Sequence, residues 1–184
     1  MSEPAAESWG RFSGEVVARW EADGRLMTLV EPFTYVDPRQ MQWEAPPGAV
    51  VNGASIPRAF WSLIGGPFAG SFRNASVVHD VACEQRERPW RAVHWMFYEA
   101  CRCGGVGAVQ AKTMYYAVFH FGPRWHAEER MTIVGGRPHR ETVVRNETPA
   151  APTATEVAAV ELFFATHDVA AEDIPSLSIT PADR

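Results

Sequence analysis

Val51-Asn52-Gly53-Ala54-Ser55-Ile56-Pro57-Arg58 is the stretch where the chain changes character. Upstream of it lie short, loosely alternating apolar runs separated by turn residues. Downstream, apolar residues recur at helical spacing between helix start and stop signals. Ser55 is a candidate N-cap, and Pro57 falls in the first turn, where a missing N–H costs little. A helix Pro57–Ile64 would turn Phe60, Trp61 and Ile64 inward and end at Gly65-Gly66-Pro67.

Backward from this changeover, the pattern reads as hairpins. Phe12–Trp20 stops at the turn Ala22-Asp23-Gly24, and Leu26–Val30 returns as the second arm. Phe33–Val36 is a third strand, stopped by Asp37-Pro38. Met41–Glu44 and Ala49–Val51 flank Pro46-Pro47-Gly48. The expectation is a small, mostly antiparallel sheet in the N-terminal half.

Forward from it, a second helix runs from about Ser71 to Arg86, and a third starts at Pro89 and stops at Gly104-Gly105. A fourth, Ala108–Phe121, stops at Gly122-Pro123 and carries Val109, Met114, Val118 and Phe121 near a 3.6-residue period. Arg130–Val134 is a possible last strand, closed by Gly135-Gly136. The fold class expected is therefore α+β, a small sheet packed with about four helices. Residues 1–140 form the compact domain, 141–155 a linker rich in Pro, Thr and Ala, and 156–184 a C-terminal interaction segment. In that segment Thr155 would cap a short helix, and Val157, Val160 and Phe164 share one face. These three are candidates for binding a protein partner, the alternative being docking on their own domain. The end, from Ile174, reads as extended.

The 184 residues, 46% hydrophobic with 10 Phe and 7 Trp, suffice for a core without metal or disulfide. A net charge of −5 argues against a broad nucleic-acid face. Arg86, Arg88 and Arg91 form a local basic cluster that reads as a solvated helix junction. Cys83, Cys101 and Cys103 make no paired framework and no C-x-x-C, which suggests a reducing compartment. Cys83 and Cys101 read as small core residues, with a catalytic thiol as the lesser alternative. The first twelve residues lack the basic and apolar regions of a signal peptide, and no run approaches the roughly 18 apolar residues of a membrane span. Neither a G-x-S-x-G elbow nor a phosphate-binding glycine loop is present.

Chemistry, if any, concentrates in Asn52, the pair His79-Asp80, and His94. His79 shares a helix face with Ala75, Val78 and Ala82. His94 lies beside Trp90, Phe97 and Cys101. Both imidazoles point at apolar neighbours and so need a hydrogen-bond partner or a metal. One reading is a metal site of His79, Asp80, His94 and Asn52, suited to zinc, manganese or iron. Another is general acid–base work by His79 with Asp80. The third is a buried polar network that only ties helices together. Arg58 is a candidate binding cation or a helix-end partner.

The string Asn52-Gly-Ala-Ser-Ile-Pro-Arg58, then Phe60-Trp61, His79-Asp80, Met114-Tyr115 and Phe121-Gly122, resembles domain-of-unknown-function family 1353, over about residues 12–125. The family pattern is T-D-x-A-S-I-P-R, H-D, A-D, M-Y and F-G. Asn52 stands here for the family's Asp, and Val93-His94 for its Ala-Asp. Both changes remove a carboxylate and would favour zinc-like over magnesium-like ions. The resemblance implies association with phages and prophages. The function expected is a non-enzymatic virion or tail component or assembly accessory, in the host cytoplasm or the virion and partnered by other particle proteins. Binding to a host protein as an inhibitor or decoy is a smaller alternative. The main alternative is a metal-dependent hydrolase acting on cell-wall or phosphate-ester substrates.

Overall fold

A computed structural model describes residues 9–24, 26–53, 55–64 and 70–180. The N-terminal half builds two three-stranded antiparallel sheets. One has the order β1 (Arg11–Phe12), β4 (Phe33–Val36), β5 (Gln42–Ala45). The other has β2 (Ala18–Trp20), β3 (Met27–Leu29), β6 (Val50–Val51). Alternation turns Met27, Leu29, Phe33, Tyr35, Trp43, Ala45 and Val51 into the core. Gly10, at φ +85°, sits where a Cβ would collide with the Val36 carbonyl oxygen, so only glycine lets the strand begin there.

After β6 the chain makes a 3-10 turn, Arg58–Phe60, and a one-turn helix α1 (Trp61–Ile64). Ser55 does not cap this turn. Pro57 occupies the cap position without a side-chain bond, and the Ser55 hydroxyl is directed at Asp80 and Cys83 instead. Phe60 is fully buried. The Ile64 side chain and the stop signal Gly65-Gly66-Pro67 lie outside the described residues. A second 3-10 turn, Gly70–Phe72, leads to α2 (Arg73–Gln85), followed by α3 (Trp90–Cys103) and α4 (Ala108–Phe121).

Helix α2 packs against α3, β5 and β6, which is why burial is continuous from Ala75 to Val81, with Ser76, His79 and Asp80 included. Arg86, at φ +55°, ends it in the left-handed conformation, and Pro89 starts α3. Helix α4 is sandwiched between α3 and the C-terminal elements. Its buried set therefore comprises Ala111 and all of Thr113–Phe119, while Val109 stays exposed at the first turn.

The last strand expected at Arg130–Val134 is longer, and it has a partner. β7 (Arg124–Val134) and β8 (Arg137–Glu147) form a two-stranded hairpin in continuous register from Arg124↔Glu147 to Val134↔Arg137. Gly135 and Gly136 both take positive φ, as a two-residue hairpin turn demands. The first seven of the fifteen residues taken for linker, 141–147, are thus strand, paired residue by residue with β7. The connection that remains is short. Thr153, not Thr155, caps α5 (Ala154–Thr166), because Thr153 and Glu156 satisfy each other's backbone N–H reciprocally. Val157, Val160 and Phe164 are buried on the chain's own α4 and the Arg58–Phe60 turn, with Phe164 5.9 Å from the Tyr116 ring. The tail is not simply extended either. A 3-10 helix, Ala171–Ser176, docks Ile174 against α4. No described helix is long and apolar enough to cross a membrane.

Candidate functional site

Helices α2 and α3 lie side by side and bring His79 and His94 into contact, Nε2 to Nδ1 at 2.9 Å. The other nitrogen of His94, Nε2, lies 3.0 Å from the Pro123 carbonyl oxygen. A carbonyl only accepts, so His94 Nε2 carries the hydrogen and Nδ1 is left to accept from His79 Nε2. His79 Nδ1 then bears a lone pair; it is buried and has no partner. The turn that delivers the Pro123 carbonyl depends on Gly122, where a Cβ would collide with the Val118 carbonyl oxygen.

One helical turn beyond His79, Cys83 Sγ sits 3.6 Å from the same Nε2. Ligating atoms of His79, Cys83 and His94 all fall within 4.8 Å of one another. The surroundings are aromatic. Phe97 covers His79 at 4.5 Å, and Trp90 and Trp125 flank His94 at 5.6 and 6.4 Å. Burial holds the His79 imidazole well below its ordinary pKa, with His94 adding to the effect. Burial likewise pushes His94 down to about 3, opposed by the Pro123 carbonyl and reinforced by Arg124. Both rings are neutral near pH 7, the state in which imidazole donates a lone pair. Burial pushes the Cys83 thiol up, against the pull of the Ser55 hydroxyl.

Asp80 faces elsewhere. Adjacent helical residues diverge by about 100°, and its carboxylate points into the loop that follows β6. There it accepts from the backbone N–H of Asn52 at 3.0 Å, of Gly53, and of Ser55 at 3.4 Å. Gly53 takes φ +68°, which lets these amides converge on one carboxylate. Burial raises the Asp80 pKa, opposed by the Ser55 hydroxyl and these amides. The structure therefore unites His79 with His94, while Asp80 turns to the loop and Asn52 meets it through its main-chain N–H. Cys83 joins the cluster although its sequence context reads as core. The available signal was its spacing, His79-x-x-x-Cys83, which puts both on one helical face.

A cleft of about 520 Å³ opens above this floor. Asn52, Ser55, Asp80 and Cys83 line it together with Arg58 and Arg86, whereas His79 and His94, fully buried, lie behind Cys83 and do not reach its surface. Arg58 is exposed and stacks over Trp61 at 5.5 Å, and Arg86 Nε donates to the Cys83 carbonyl oxygen at 3.3 Å. The segment between β8 and α5, through Thr148, Pro149, Ala151 and Pro152, closes the far wall.

Two proteins of Sinorhizobium fredii (strain NBRC 101917 / NGR234) are similar to this chain. "Uncharacterized protein y4jT" is 43% identical over 129 residues, 69% of this chain and 38% of that protein. "Uncharacterized protein y4iH" is 36% identical over 103 residues, 56% of this chain and 43% of its own length. The chain thus spans about two fifths of these curated relatives. No solved structure matches. Residues 27–118, half of the chain and the part that carries the loop, His79, Cys83 and His94, match the family described as "Protein of unknown function (DUF1353)", and the chain belongs to that family.

Proposed function

We propose that this chain is a hydrolase whose working centre is the floor of the cleft, with phosphate esters as its substrate class. The observation that carries this reading is the His79–Cys83–His94 cluster, three desolvated donors gathered within 4.8 Å that meet an open cleft at Cys83. Hydrolysis needs a group that activates water and a group that receives developing negative charge. The cluster supplies the first. Arg58 and Arg86 supply cations on the cleft wall, which favours a phosphate ester over an uncharged glycan. The Asp80-bound loop acts in support: it fixes the position of Ser55 and Arg58 relative to the cluster.

The test is turnover of a panel of phosphomonoester, phosphodiester and peptidoglycan substrates by the full chain. Activity on a phosphate ester, lowered about 100-fold or more in His79→Ala and about tenfold in Arg58→Ala, is the expected result. No turnover on any of the panel, or turnover indifferent to His79→Ala, would overturn the reading.

A second reading, a particle or assembly component in host cytoplasm or virion, draws support from the β7–β8 hairpin. Its one face exposes Met131, Ile133 and Val144. Incorporation of the full chain, against a chain with a shortened hairpin, into purified particles tests it.

A further inference from the structure

We infer that His79 Nε2, Cys83 Sγ and His94 Nδ1 bind one zinc ion, which a water reaching it from the cleft completes. This deepens the hydrolase reading by naming what activates water, but the binding claim stands on its own geometry.

The first support is the donor set. Three polar groups are withdrawn from water among Phe97, Trp90 and Trp125; one proton between the imidazoles and the His94 bond to Pro123 compensate in part, and His79 Nδ1 is left without a partner. Burying such groups is costly unless something satisfies them. A purely structural helix contact would be cheaper in carbon. The second support is spacing. Zn–S and Zn–N bonds of about 2.3 and 2.0–2.1 Å across a tetrahedral angle place sulfur and nitrogen about 3.6 Å apart, and Cys83 Sγ and His79 Nε2 are 3.6 Å apart. The two ring nitrogens, at 2.9 Å, need to part by only a few tenths of an ångström. The third support is the outer shell. A metal-bound imidazole ordinarily donates its other N–H to a carbonyl or carboxylate, and His94 Nε2 already faces the Pro123 carbonyl oxygen at 3.0 Å.

The same donors select the metal. Asp80 is committed to the loop amides and contributes no oxygen to the cluster. Two imidazoles and a thiolate suit zinc and disfavour magnesium and calcium, which require oxygen ligands. Three protein ligands leave the fourth position open, the arrangement of hydrolytic rather than structural zinc. Cys83 is the ligand that lines the cleft, so the open position is approached from that side, next to the Ser55 hydroxyl. Binding expels the Cys83 thiol proton, while the His79 proton moves from Nε2 to Nδ1 and stays on the ring, so one proton is released for each zinc taken up.

The experiment is titration of the metal-free full chain with zinc and, separately, with cobalt(II). One equivalent of either should bind. Cobalt should show the intense visible bands of a tetrahedral site together with a near-ultraviolet thiolate charge-transfer band. Cys83→Ala should lose that band and weaken binding about 100-fold or more, whereas Cys101→Ala, a buried thiol outside the cluster, should keep both. Substoichiometric binding, a cobalt spectrum without the thiolate band, or equal affinity in Cys83→Ala would overturn the inference. Phosphate-ester turnover by a chain that binds neither zinc nor cobalt would also overturn it while leaving the hydrolase reading intact. Tight, Cys83-dependent zinc binding without any turnover would uphold it and remove the hydrolase reading.

Discussion

Asp80 shows how one carboxylate can hold a loop whose own side chains contribute little to the bond. Three backbone amides and a hydroxyl converge on it from Asn52, Gly53 and Ser55. Asp80→Ala leaves the buried Gly53 amide and the part-buried Asn52 and Ser55 bonds without this acceptor, and the cost should be about 3 kcal/mol. Urea unfolding at unchanged slope measures it, and a loss below about 0.5 kcal/mol would show that the loop is held by something else. At this scale the sequence was partly legible. Helical spacing foretold that His79 and His94 turn inward, and the resemblance marked the loop as special. The helical step of about 100° also separated Asp80 from His79. Not legible was that main-chain amides would take up the carboxylate, because amides leave no trace in residue identity. Cys83 was hidden for another reason: a buried thiol and a liganding thiol look alike until the neighbouring helix is in place.

Among the elements, the C-terminal docking carries a pH signature. His120 on α4 lies 3.0 Å from the Ile174 carbonyl oxygen and so ties the 3-10 helix Ala171–Ser176 to the core. Burial lowers its pKa, the Ile174 carbonyl opposes the shift, and Arg124 adds to it. The folded state thus binds this proton less readily than the unfolded chain, whose imidazole titrates near 6.5. Stability from this group is complete above about pH 6.5 and declines as pH falls from there toward the lower folded value. Amide exchange of residues 171–180 should therefore quicken between about pH 6.5 and 5, after correction for intrinsic rates, and should lose that dependence in His120→Gln. Helices α2, α3 and α4 were readable because glycine and proline punctuate them. Strand β8 was not, since its Thr, Arg and Pro resemble linker composition until paired residue by residue with β7. The cap of α5 moved two residues because a reciprocal Thr153–Glu156 pair outweighs a lone threonine.

Over the whole molecule, the sheets, three long helices and docked tail make one body, and the β7–β8 hairpin extends from it. The strands of the arm contact mainly each other, and Trp125 anchors its base through its indole N–H to the Arg88 carbonyl oxygen at 2.8 Å. Joining Ala127 to Val144, which already face one another in the register, through the same Gly135-Gly136 turn shortens the arm without touching its base. Since little of the core rests on the removed residues, the melting temperature should move by less than about 4 °C, the equivalent of about 1 kcal/mol. A fall beyond about 10 °C would mean that the arm is part of the folding unit.

The cleft wall formed by Thr148, Pro149, Ala151 and Pro152 is strung between that arm and the capped start of α5. Two prolines in so short a span fix its backbone angles before anything arrives. That rim of the cleft is therefore stiffer than an equal run of alanines would be, and less conformational freedom is left for it to lose than in an unrestrained loop.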